Sequence, residues 1–62
     1  MDTNILIARI RQLLAVDKNA VDIYSDLAKK ADERLKEVFA EIVKDERRHV
    51  ALSLEMLSLL EK

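Results

Sequence analysis

"KKADER", residues 29–34, distinguishes a helical hairpin from one long helix. Lys29 and Lys30 suit the carboxyl end of a helix, where the backbone dipole is negative. Asp32 and Glu33 suit the positive amino end of the next one, with Asp32 as its N-cap. The stretch therefore reads as a break between two helices. No Gly or Pro enforces it, so a single long helix stays open as the alternative. Further upstream, Asp2, Thr3 and Asn4 are capping residues in front of an apolar-periodic run. The expectation is an all-α chain whose residues 1–62 form one antiparallel helical hairpin, with helix 1 over about 3–31 and helix 2 over about 33–61.

Composition points the same way. The 62 residues include no Gly, Pro or Cys, half are apolar and 37% are charged, which suits long helices better than a sheet or a disordered segment. Without cysteine there is no disulfide, thiolate metal site or iron–sulfur centre. Of the devices that stabilise very small domains, oligomerisation and a bound metal ion are left. The formal net charge is −1 with both signs interspersed, so no basic stripe invites nucleic acid. The longest charge-free apolar run, Ile5 to Ala8, is far short of the roughly 20 residues that span a bilayer, and no signal-peptide pattern is present. The expected setting is cytoplasmic, or inside a protein compartment, with no membrane partner.

Sorting each helix by period gives a heptad-like seam. In helix 1 it runs Leu6, Ile10, Leu13, Asp17, Ala20, Tyr24, Leu27, Ala31; in helix 2, Leu35, Phe39, Ile42, Glu46, His49, Ser53, Met56, Leu60. Both seams turn ionisable at their middles. A buried carboxylate without a partner is costly, so Asp17, Glu46 and His49 need a reason to be there. If the chain reverses at about residues 31–32, Asp17 comes level with Glu46, and His49 lies one helical turn further on. A second apolar flank, Leu14, Val21 and Ala28 with Val43, Val50 and Leu57, is more than one hairpin partner is expected to cover. Two hairpins related by a two-fold axis would close a four-helix bundle and join two copies of the three ionisable residues.

Such a cluster calls for cations. Four carboxylates in a bundle interior repel one another and destabilise the empty fold, and two divalent ions would cancel their charge. Oxygen and nitrogen ligands without thiolate suit Fe(II) and Mn(II), with Zn(II) or Co(II) able to substitute.

"AVDKNAVDIY" (15–24) followed by "EIVKDERRHVALSLEML" (41–57) resembles one half of a ferritin-like, rubrerythrin-type di-iron protein, and most of all the encapsulated ferritins. These too are single hairpins that must dimerise. The resemblance covers about two thirds of the chain. It implies a first-helix carboxylate at Asp17, an aromatic seven positions later at Tyr24, and a Glu-x-x-His at Glu46 and His49. It further implies two iron ions per homodimer, oxidation of Fe(II) by O2 or peroxide for storage or detoxification, and an encapsulating shell protein as a candidate partner. The family usually carries Glu where this chain has Asp17, so the ligand is one methylene shorter. Tyr24 is expected just outside the ligands, its hydroxyl bonded to a site carboxylate.

Two other readings fit the same residues. One is a non-catalytic structural or adaptor bundle whose buried polar layer sets register. The other is a simplified designed di-metal bundle. Asp45 lies beside the seam on the stripe of Val38 and Leu52. The apolar open end, "NILIARI" with "LSLEMLSLL", suits a larger oligomer or, as the lesser alternative, a membrane surface.

Overall fold

The computed structural model describes residues 2–62. Two 28-residue helices, α1 (Thr3–Lys30) and α2 (Glu33–Leu60), make up nearly all of it, with no strand among the described residues. They pack side by side as an antiparallel hairpin 46 Å long and 14 Å in its other two dimensions. No helix is long and apolar enough to cross a membrane, among the described residues.

Local chemistry accounts for the ends. Asp2 is extended and its carboxylate accepts from the Asn4 backbone N–H at 2.7 Å, capping α1. Ala31 leaves the helix at φ −85°, ψ 159°, directly after the cationic pair Lys29 and Lys30. Asp32 then accepts from the Leu35 N–H at 2.9 Å while its own carbonyl takes the Lys36 N–H, which starts α2. The reversal thus needs no glycine: one extended alanine and one capping aspartate suffice. Replacing Asp32 by Ala removes an acceptor for one of the orphan N–H groups and should cost about 1 kcal/mol. The check is the helical melting midpoint by circular dichroism. Asp32→Asn, which still caps, should hold near the original value.

The packed line differs from the one expected. Ile10, Leu14, Ser53 and Leu57 are the buried residues, with Leu6, Ile7, Val50 and Leu60 half-buried around them. Val21, Ala28 and Val43 are also partly covered. The flank assigned to a second copy therefore lies inside the hairpin. On the seam, Ile10 and Ser53 are buried and Asp17, Ala20, Tyr24, Phe39, Ile42 and Glu46 are half-buried. Leu13, Leu27, Leu35, His49 and Met56 stand exposed. Each helix is rotated by part of a heptad step relative to the expected setting. Seam and flank are adjacent apolar stripes, and a single partner helix covers a line that runs between them.

The uncovered apolar residues other than Leu54 follow their own heptad. In α1 they are Ile5, Leu13, Val16, Ile23 and Leu27; in α2, Leu35, Val38, Leu52, Met56 and Leu59. Both stripes sit about 100° from the packed line in the same rotational sense along the chain. Because the helices run in opposite directions, that sense puts both stripes on one side of the hairpin. The other side carries a groove lined by Lys18, Val21, Asp22, Arg47, Val50, Ala51 and Leu54.

Surface ion pairs add little. Arg11 and Glu61 join the two helices at the open end, and Lys30 meets Asp26 at 2.9 Å within α1; all four side chains are exposed. The hydrogen bond from Lys30, then its charge, holds the Asp26 carboxyl below its ordinary value. What that pair contributes is present above the ordinary carboxylate range and is lost as the pH falls through the lowered value.

Candidate metal centre

Asp17 lies 14 residues after Thr3 and 13 before Lys30, and Glu46 lies 13 after Glu33 and 14 before Leu60, so both occupy the middle of their helices. A reversal at Ala31 and Asp32 brings these midpoints level, and the Glu-x-x-His spacing sets His49 one turn beyond Glu46 on a neighbouring stripe. One ligand atom from each of Asp17, Glu46 and His49 falls within 4.8 Å of the others. His49 Nδ1 stands 4.0 Å from Glu46 Oε1.

The three differ in their surroundings. Asp17 and Glu46 are half-buried, the Glu46 side chain being 21% exposed, whereas the His49 side chain is 57% exposed. Glu46 Oε2 is buried and has no hydrogen-bond partner. Buried carboxylate oxygens are normally paired, so an orphan of this kind calls for a proton donor or a cation. The donor set of two carboxylates and an imidazole, without sulfur, fits Fe(II), Mn(II) or Zn(II). Three protein atoms leave such an ion with open positions. The cluster opens toward the exposed apolar side through His49.

Tyr24 packs beside Phe39. It is half-buried, its ring lies 6.0 Å from that of Phe39 at a tilt of 36°, and the structure gives it no hydrogen bond to Asp17, Glu46 or His49. The cause is the seven-residue spacing. It sets Tyr24 two turns nearer the hairpin reversal than Asp17, where Phe39 of α2 is the level neighbour. Asp45, adjacent to Glu46, is exposed on the apolar side. Lys44, Arg47 and Arg48 are exposed too, so "KDERRHV" divides into charges held outward and Glu46 turned in.

Comparison of the chain with protein-family models, with curated proteins and with solved structures found no match.

Proposed function

We propose that this chain is one half of a ferritin-like di-iron protein: two hairpins form a four-helix bundle that binds Fe(II) at a site between subunits and oxidises it with O2 or peroxide, for iron storage or detoxification. The observation that carries the reading is the meeting of Asp17, Glu46 and His49 within 4.8 Å around a carboxylate oxygen that nothing in the hairpin satisfies.

Glu46, 21% exposed against 57% for His49, would supply its carboxylate to the metal, since one of its oxygens is buried and lacks any other partner. His49 fixes the ion's position from the open side. Asp17 is the terminal ligand, and its short side chain favours binding through one oxygen. Four carboxylates and two imidazoles from a pair of hairpins balance two divalent ions. Two adjacent Fe(II) ions, when bound, can each give up one electron to a common oxidant. The chain's own part is to hold the ions together and to exclude water by the surrounding apolar residues.

The second reading, a structural or adaptor bundle whose polar layer sets register, draws on the same half-buried Glu46. An anaerobic Fe(II) titration followed by air separates the two. The expected result is two irons per dimer and, on admission of air, a new near-ultraviolet absorption from oxygen-to-iron charge transfer. A folded dimer that takes up no iron ends the di-iron reading.

A further inference from the structure

All three ligands of the candidate centre come from one chain, two of them on α2 and one on α1. We infer that a single hairpin holds one divalent ion by itself, through Asp17, Glu46 and His49, and that this ion ties α1 to α2 where the core ends. The inference deepens the reading above and rests on it for the choice of iron as the natural metal.

One ligand atom from each residue lies within 4.8 Å of the other two, and His49 Nδ1 is 4.0 Å from Glu46 Oε1. An ion that binds nitrogen and carboxylate oxygen at about 2.1 Å holds neighbouring ligand atoms roughly 3.4 Å apart in a tetrahedral set, so the three need to close by about 1 Å. His49 is the group free to move. Its side chain is 57% exposed, whereas that of Glu46 is 21% exposed and has a buried oxygen, Oε2, that no hydrogen bond satisfies. Charge closes within the chain as well, because the two carboxylates of one hairpin balance one divalent ion. No ligand from a partner is required for either purpose. A two-ion centre is then two complete half-sites brought together, each filled by its own chain.

The place of the site gives the ion a second role. The fully buried residues Ile10, Leu14, Ser53 and Leu57 all lie between the site and the open end of the hairpin. From Ala15 to Leu52, a span that includes the reversal, no described residue is buried. Tyr24 beside Phe39 and the cap at Asp32 are what that half shows in place of a core. Asp17 and Glu46 stand at its edge, so an ion bonded to both joins the helices where apolar packing gives out. A clip between distant positions removes entropy from the unfolded chain, as a disulfide does, and this chain has no cysteine to make one.

The test gives each intact chain a partner that has no ligands. The original chain is refolded with an excess of the Asp17→Leu, Glu46→Leu, His49→Leu triple variant carrying an affinity tag, and the assemblies captured through the tag are titrated with Co(II), read by its ligand-field absorption. A chain that sediments alone is titrated as it is. The expected result is one Co(II) per original chain, with half-saturation within about tenfold of the unmixed protein, and a melting midpoint that rises with Co(II). Asp17→Asn in the original chain should weaken that uptake by more than about tenfold, because it removes the one ligand on α1. Captured assemblies that take up no Co(II), or bind it more than about tenfold more weakly, overturn the inference, and so does an unchanged affinity in Asp17→Asn. The two readings fail separately. Two irons per dimer in the original protein with none in the mixed assembly defeats the single-hairpin site alone, and Co(II) uptake in the mixed assembly with no Fe(II) oxidation in air defeats the di-iron reading alone.

Discussion

Replacing Asp17, Glu46 and His49 together by Leu should abolish iron uptake and raise the melting midpoint of the metal-free protein. The half-buried pair Asp17 and Glu46, and the unpartnered Glu46 Oε2, cost desolvation and mutual repulsion that leucine does not carry. Apolar replacement of buried ionic groups typically gains about 1–4 kcal/mol, and each kcal/mol moves the midpoint of a domain of this size by roughly 4–8 °C. Stabilisation alone does not separate a metal site from a structural polar layer, because both predict it. The separating measurement is the melting midpoint with and without Fe(II) or Zn(II). A metal that binds only the folded dimer stabilises it in proportion to the logarithm of its saturation, so the original protein should shift upward and the triple variant should not move. Equal midpoints with and without metal in the original protein would leave only the structural bundle.

Leu13→Glu should convert a folded dimer into a largely unfolded monomer at micromolar concentration. In the single hairpin Leu13 is 59% exposed, and a surface substitution of that kind ordinarily changes stability by within about 0.5 kcal/mol. If a second copy covers it, the same change sets an unpaired carboxylate in an apolar interface, at a cost of several kcal/mol. The hairpin has little reserve. Its buried apolar core is Ile10, Leu14 and Leu57, each contributing about 1.5–3 kcal/mol, set against the conformational entropy of two 28-residue helices. Loss of the partner should therefore take the helices with it. Sedimentation and far-ultraviolet circular dichroism read both effects. Leu54→Glu, 49% exposed but in the groove on the other side, is the control and should stay dimeric and helical. A Leu13→Glu protein that sediments and melts like the original would show that this face is uncovered.

Much of the hairpin was legible in its residues. Asp32 and the Lys29–Lys30 pair signal the break by capping and dipole chemistry, which act within a few residues and so can be read locally. The level meeting of Asp17 with Glu46 follows from the position of that break and the constant rise of a helix. The setting of Tyr24 was legible only in part: its spacing from Asp17 is plain, but its contact with Phe39 depends on which residue of α2 stands level with it.

Capping residues and helix geometry dictate two matched helices, the place where they reverse, and the height at which three ionisable groups gather. Each follows from short-range chemistry or from helix geometry that repeats without regard to context. The rotation of each helix about its own axis was decided only by the tertiary structure. Seam and flank are both apolar and adjacent, so periodicity does not say which faces inward, and the setting adopted is the one that packs Ile10, Leu14, Ser53 and Leu57 together. That rotation turned Leu14, Val21, Val50 and Leu57 inward, left Leu13 and Val16 outward, and put His49 at the edge of the open side.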